Sequence, residues 1–301
     1  MQLRHLQYFS TLARVRHFAK AATECGVTQP TLSAGLVSLE HEFGHRLVER
    51  DKRFIGLTAH GEAMLPWVHQ ILGAVGEMAH AVSATAAPVS GTFNLAAIPA
   101  SLPFVGVFGK ALLTQYPHLS LSVTSATSRE IERGLNAFEY DAGITYIDHE
   151  PLSNVISVPL YEEKYLFITQ SGDRFDAYSE ISWDEVVAQP LCLLHQGMQH
   201  RRILDQRLGD RLLSATPQVV ADSHISLLSM VRDGGFAAVI PDSYTKLFAG
   251  LEWARLLPIQ EGDLKQRIGL VAVNRDPMSA LARVGISVAA QMKAMERQLL
   301  I

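Results

Sequence analysis

Only two cysteines, Cys25 and Cys192, occur in 301 residues. So few exclude a disulfide-stapled scaffold and fit a reducing compartment. No run approaches 18 uninterrupted apolar residues, so no membrane span is expected. The opening, Met1-Gln2-Leu3-Arg4-His5, lacks the apolar core of a secretion signal, and a cytoplasmic protein is expected. There is no Gly-x-Ser-x-Gly elbow and no phosphate loop, so the chain is read as a non-enzyme with no catalytic residues. Internal repeats and low-complexity tracts are missing as well. What is present is ordinary globular material: 48% hydrophobic and 19% charged residues, which excludes disorder, in a length that fits about two domains.

The net charge of −4 is unevenly spread. Residues 1–60 hold eight Lys/Arg (Arg4, Arg14, Arg16, Lys20, Arg46, Arg50, Lys52, Arg53) against five acids, a net of +3, which leaves −7 for the rest. A basic head on an acidic body is the balance expected when the head meets a polyanion and the body does not.

Periodicity organises that head. Leu3, Leu6, Phe9 and Ala13 share one helical stripe, and Phe18, Ala21, Ala22 and Cys25 share another. After a break at Gly26-Val27, Thr28 stands where a hydroxyl can cap a third helix, and Pro30 sits in its first turn at no cost in hydrogen bonds. Leu32, Leu36, Leu39 and Phe43 continue that helix. Two short helices joined tightly, the second opening with a cap and a proline, form a helix-turn-helix pattern. The basic stretch from His45 to Leu57, with its strand-like Arg53-Phe54-Ile55-Gly56-Leu57, reads as a β-wing.

From Thr58 to about Thr85 a long helix is expected, kinked near Pro66. Met64, Val68, Ile71, Val75, Met78 and Val82 alternate spacings of four and three, a seam suited to a partner helix from a second copy. Ala84-Thr85-Ala86-Ala87-Pro88-Val89-Ser90-Gly91 reads as a linker. The organisation is therefore 1–58 winged helix-turn-helix, 59–90 dimerising helix and hinge, and 91–301 ligand-binding body.

Beyond Gly91 strands and helices alternate. Strands are expected at 92–98, 119–124, 141–146, 159–169, 190–194, 217–221, 236–240 and 267–273. Helices are expected at 102–115, 128–138, 183–187, 200–208, 224–233 and 277–297. This alternation argues an α/β body with a mostly parallel sheet. The stretches 151–160 and 258–266 read as crossings between two lobes: lobe I from 91–157 and 267–301, lobe II from 158–266.

The runs Phe18-Ala19-Lys20-Ala21-Ala22, Val27-Thr28-Gln29-Pro30-Thr31-Leu32-Ser33, Leu47-Val48-Glu49-Arg50 and Leu57-Thr58-Ala59-His60-Gly61-Glu62 resemble the DNA-binding head of LysR-type transcriptional regulators. The body is similar to that family's effector domain in length and element order. The resemblance implies a winged helix-turn-helix, a dimerising linker helix and a body like periplasmic substrate-binding proteins. It further implies a tetramer of paired dimers, operator DNA and RNA polymerase as partners, and control by a small metabolite with no cofactor. Within the family, the runs 28–35, 53–58 and 141–146 look like regulators found beside soluble formate dehydrogenase genes, which implies formate or another tiny carboxylate as effector.

Residue chemistry points the same way in the head. The first turns of a recognition helix face base edges in the major groove. The Gln29 amide matches adenine N6 and N7, and Thr28, Thr31 and Ser33 are short donors. Arg50 and Arg53 on the wing reach phosphates or the minor groove, contacts that position rather than specify. Two positions depart from the family habit: Ala34-Gly35 follows Ser33 where a longer polar residue is common, and His17 replaces a small capping residue.

For the body, the expected ligand site is a crevice at strand ends and helix starts, where free N–H groups favour anions. Ser101, Thr127 and Ser128 stand at such starts, and the resemblance places effector-binding groups at Ser101, Thr127 and the loop Gln196 to Met198. Arg201 is expected to supply charge, with Tyr146 and His224 as further lining. A redox-responsive regulator of the same fold is the alternative, weakened because Cys192 lies in an apolar strand. Metal binding by Cys192, His195 and His200 and a transport-type binding protein are weaker readings, as is a small-molecule enzyme.

Overall fold

The computed structural model describes every residue except Met1, 51–52, 84–87, 173, 210–216, 248–251, 261–264 and 299–301. The linker residues 84–87 lie outside the described residues. Two compact units are present: residues 1–88 with 136–139, and residues 89–135 with 140–301.

In the first unit, helices α1 (Leu3–Val15), α2 (Phe18–Glu24) and α3 (Gln29–Phe43) precede a two-stranded ribbon, β1 (Val48–Arg50) and β2 (Phe54–Leu57), and the long helix α4 (Ala59–Ser83). Leu6, Phe9, Leu12, Leu32, Leu36 and Leu39 are fully buried together. Each such side chain contributes ~1.5–3 kcal/mol of transfer free energy. The two departures from family habit have structural reasons. A Cβ on Gly35 would lie 2.7 Å from the Tyr8 ring, so glycine is what lets α1 press against α3. His17 still caps α2, its Nδ1 accepting from the Lys20 backbone N–H. A feature the pattern did not reveal is Glu40. Buried on α3, its carboxylate accepts from the backbone N–H groups of Leu47 and Val48, which fastens the wing's root to the recognition helix.

The α4 helix carries Pro66 without interruption. Its apolar stripe divides. Val68 is fully buried in the unit's own core with Met64 packed beside it, because α4 lies against α1. Val75 is half-buried, while Ile71, Met78 and Val82 are 37%, 63% and 71% exposed.

In the second unit one five-stranded sheet has the order β4-β3-β5-β12-β6. Its strands are β3 (Gly91–Ala97), β4 (Leu119–Ser125), β5 (Ala142–Tyr146), β6 (Val155–Glu163) and β12 (Gln266–Val273). Helices α5 (Leu102–Gln115), α6 (Ser128–Asn136) and α10 (Ala280–Gln298) belong to this lobe. The second lobe holds β7 (Tyr165–Gln170) between β10 (Ala238–Pro241) and β11 (Ala254–Pro258), and the parallel pair β8 (Cys192–Leu194) and β9 (Val219–Ala221). It also carries α7 (Trp183–Val187), α8 (Gln199–Leu208) and α9 (His224–Asp233).

The strand pairing corrects four expectations. The stretch 159–169 is two strands, because β6 pairs with β12 through Glu163 and β7 pairs with β10 and β11 from Tyr165. The crossing is thus a single residue, Lys164, pinned by reciprocal backbone and carboxylate bonds with Asp242, and lobe I extends through Glu163. The pattern of alternating side chains does not say which sheet a strand joins, which hid the switch. The sheets are mixed: β12 runs antiparallel to β5 and β6, and β10-β7-β11 is antiparallel throughout. Strand β11 has no counterpart among the expected strands.

Candidate nucleic-acid interface and ligand cleft

In the first unit, α3 opens with Thr28 in extended backbone, its hydroxyl accepting from the Thr31 N–H and lying 2.8 Å from the Thr31 hydroxyl. Thr28 and Thr31 are therefore each other's partners at the cap. Gln29 and Thr31 are exposed on the first turn and Ser33 is half-exposed, while Leu32 and Leu36 point into the core. Arg53 is exposed ahead of β2; the Arg50 side chain lies outside what the structure describes. An open apolar groove of about 430 Å³ runs beside α4, lined among others by Phe43, Trp67 and Ile71.

One string here spells a zinc-protease helix: His41-Glu42-Phe43-Gly44-His45. That motif needs both histidines on one helical face. Helix α3 stops at Phe43, Gly44 turns left-handed at φ 70°, and His45 stacks on His60 with ring centroids 4.0 Å apart. No cluster of metal-ligating side chains occurs among the described residues.

In the second unit a small enclosed space of about 10 Å³, room for roughly one water, lies between the lobes. Its lining includes the first residues of three helices, Ser128 of α6, Gln199 of α8 and His224 of α9. Pro99, which opens the 3-10 turn Pro99–Ser101 ahead of α5, also lines it. Helix starts carry unpaired N–H groups and the positive end of the macrodipole. Contacts across the lobes hold the cleft shut. Arg202 pairs with Glu150, the Gln199 amide donates to the His149 carbonyl, and Tyr244 donates to the Pro99 carbonyl at 2.7 Å.

Among the expected ligand residues, Thr127, Ser128, Tyr146 and Met198 line this space; Ser101, Gln196 and Arg201 do not. The Ser101 hydroxyl is fully buried and donates to the Ile98 carbonyl at 3.0 Å. Thr127 forms a reciprocal cap with Glu130, which accepts from the Thr127 N–H and hydroxyl while its own N–H donates back. Gln196 is exposed. Arg201 is spent on Asp205 and on the Leu194 carbonyl, 2.6 and 3.0 Å away. Both hydroxyls meet helix-start donors or carbonyls first because those partners are a few residues away, and the guanidinium has an i,i+4 carboxylate.

Among the described residues, the polar atoms of the helix starts left without a hydrogen-bond partner at the cleft are imidazole nitrogens and the Gln199 Oε1. All four ring nitrogens of His200 and His224 are buried without a hydrogen-bond partner among the described residues. The rings Tyr165, His200, His224 and Tyr244 stack in a row, with centroids 4.9, 5.4 and 4.6 Å apart. Burial holds His200 well below the usual histidine range and lowers His224 to about 4, so both are neutral at pH 7. Behind the row, Tyr146 donates to Glu163 at 2.8 Å. Glu163 is fully buried, and burial pushes its carboxyl up to about 8. A folded value above the unfolded one means that Glu163 adds stability at low pH, which is lost as pH climbs from the ordinary carboxylate range through about 8. Cys192 is buried in β8, donates to the Leu227 and Ala237 carbonyls, and burial pushes its thiol up to about 11.

Residues 3–62 match the bacterial regulatory helix-turn-helix of the lysR family, and residues 86–293 match the LysR substrate binding domain. This chain belongs to the LysR family. Among its relatives is a probable hydrogen peroxide-inducible genes activator of Mycobacterium xenopi, 32% identical over 168 residues, or 56% of this chain and 88% of that one. A solved structure of full-length OxyR from Pseudomonas aeruginosa, a cysteine-to-aspartate variant, superposes with a TM-score of 0.76 at 24% identity, covering 97% of this chain and 94% of that one. Full-length CbnR in complex with its target DNA gives a TM-score of 0.72 at 20% identity, covering 97% and 100%. The regulator is thus a DNA-binding transcription factor with an effector-type body. Among the described residues no helix is long and apolar enough to cross a membrane.

Glu163 has no place in the sequence reading, and His200 enters it only as a weaker metal-ligand candidate beside Cys192 and His195. His200 is the second residue of α8, and its spacing from the β8 strand end was the one available signal.

Proposed function

We propose that this regulator reads operator DNA through the first turns of α3 and is switched by a small carboxylate, of about formate size, held in the interlobe cleft. On the DNA side, Gln29 and Ser33 read base edges, while Arg53 and Arg50 hold the backbone. The α4 stripe from Ile71 to Val82 pairs with a second copy, and two such dimers make a tetramer. The observation that carries the ligand reading is the convergence of helix starts on a closed space that also holds unpartnered imidazole nitrogens. Buried donors without partners cost about 1–3 kcal/mol each, a cost that a bound acceptor removes.

This revises which groups hold the anion. Backbone N–H groups of α6, α8 and α9 and the imidazole N–H groups supply the donors, and Arg201, Ser101 and Thr127 shape the frame. None of the relatives described above is named for formate; a space with room for about one water excludes a large ligand, and even formate needs the lobes to give way slightly. The peroxide response in the relatives' names is theirs. For this chain a thiol route would need a thiolate, and Cys192 is held as a thiol.

Thermal shift with sodium formate, acetate, nitrate and hydrogen peroxide tests the reading. A ligand at a hundredfold excess over Kd adds ~2.7 kcal/mol. Formate is expected to raise Tm, and His200→Ala with His224→Ala to abolish that rise. No shift with any small anion, or a shift untouched by the double variant, overturns the site. A shift with peroxide alone favours the redox alternative.

A further inference from the structure

Glu163 occupies an unusual place. It is the last residue of β6, one residue before the chain crosses to the second lobe, and it is fully buried. One carboxyl oxygen accepts from Tyr146, whose ring lines the cleft; the other has no hydrogen-bond partner among the described residues. Among the described residues, the titratable groups that act on it are tyrosines and one carboxylate, and none is a cation. Tyr146 bonds it from β5, Tyr161 acts on it from β6, and Gln266 is its cross-strand partner on β12, while Tyr165 of β7 acts on Tyr146. Asp242 and Tyr244 face it from the turn after β10, and the Asp242 carboxylate adds negative charge. The lysines and arginine of the same strands point outward: Lys164, Lys265 and Arg267 are exposed, and Lys265 and Arg267 pair with Glu162 and Asp148. A buried carboxylate with one hydrogen bond and no counter-cation is carried as the neutral acid.

An anion seated in the cleft would add a second negative charge one tyrosine away from this carboxyl. The anion and an ionised Glu163 therefore exclude each other. We propose that entry of a small anion into the cleft is coupled to protonation of Glu163, with Tyr146 relaying between the two. This rests on the cleft reading above and adds a regulation to it. The balance is one anion and one proton bound together from solvent where Glu163 is ionised in the free protein, and the anion alone where it is already protonated. Glu163 acts as a positioning and sensing residue; its effect on the ligand passes through Tyr146. The chemical consequence is a preference for conditions in which a weak acid accumulates with its proton, so the regulator reports acid and anion jointly.

Isothermal titration calorimetry of sodium formate into the full-length protein, in buffers of different ionisation enthalpy, tests this. Affinity is expected to be constant from pH 6 to 7 and to fall about tenfold per pH unit above pH 8, the slope of a one-proton linkage. Net proton uptake should approach zero at pH 6 and one at pH 9. Glu163→Gln, which keeps an acceptor for Tyr146, should bind formate with one affinity across pH 6 to 9 and no proton uptake. Tyr146→Phe removes the hydrogen bond that favours the ionised form and should move the midpoint to higher pH, a check that does not depend on the Gln variant folding. Wild-type binding that is flat to pH 9 without proton exchange overturns the coupling and leaves the cleft reading intact. Uptake centred near pH 6 and unchanged in Glu163→Gln places the proton on the imidazole row and also overturns it. If formate fails to bind at any pH, the cleft reading fails first and the coupling with it.

Discussion

The two units treat polar residues in opposite ways. In the DNA-binding unit the polar side chains at the start of α3 and on the wing are either solvated or locally satisfied, although the His5 ring on α1 keeps a buried nitrogen without a partner among the described residues. Gln29 and Arg53 are exposed, Thr28 and Thr31 bond each other, and the buried Glu40 receives two backbone N–H groups. In the body the ring nitrogens of His200 and His224 and one oxygen of Glu163 are buried without a partner among the described residues. The difference follows from what each surface meets. A surface that docks on a polyanion needs rigid presentation and keeps its water until contact. A closed space that admits a small molecule keeps hydrogen bonds unmet so that the ligand completes them. Unsatisfied buried groups are rare enough in folded proteins that such a cluster calls for a ligand or water.

The largest expected effect breaks the first unit's half of this comparison. Ile71 is part-exposed on α4 beside the apolar groove, and a second copy is its proposed cover. Ile71→Asp would place a charge without a partner in that contact. Light scattering at micromolar concentration is expected to show monomers, with operator binding lost. A variant that stays dimeric would show that other surfaces hold the copies together.

A smaller effect separates the two kinds of DNA contact. Gln29→Ala deletes a base-edge pair worth ~1–3 kcal/mol and should relax preference at one operator position. Arg53→Ala should weaken operator and random DNA alike and lower the salt slope by about one unit. Binding measured by anisotropy on both DNAs at several salt concentrations decides. Equal losses on both for Gln29→Ala would remove its reading role.

The same contrast explains what is legible in the sequence. The head's elements follow from local pattern, because caps, stripes and turn residues act within a few positions. Thr28 at the cap and Leu32, Leu36 and Leu39 in the core stand where spacing puts them. The body's strands are mostly legible too, but their partners are not. Lys164 switches sheets inside an unbroken alternating run, and only the long-range pairing of Glu163 with Gln266 shows it. The cleft is hidden for a related reason. The sequence displays what Ser101, Thr127 and Arg201 could offer a ligand, while each has a partner three to seven residues away. His200 and Glu163 have no such neighbour, and their isolation becomes visible only in three dimensions.

The smallest expected effect sharpens that last distinction. If Thr127 is a cap and not a ligand group, Thr127→Val should cost what a lost N-cap costs, ~0.5–2 kcal/mol. In a unit of this size each kcal/mol moves Tm by ~2–4 °C. The same loss is expected with and without formate, because on the proposed reading the anion is held by backbone N–H groups and not by this hydroxyl. Ser101→Ala should behave alike, since its hydroxyl serves the Ile98 carbonyl and not the enclosed space. Scanning calorimetry of both variants, with and without formate, gives two numbers per protein: the apo Tm and the ligand-induced rise. A cap lowers the first and spares the second, and a ligand group does the reverse. If Thr127→Val keeps its apo Tm and loses the rise, the hydroxyl leaves Glu130 to hold the anion, and the division between framing and receiving groups in this cleft has to be redrawn.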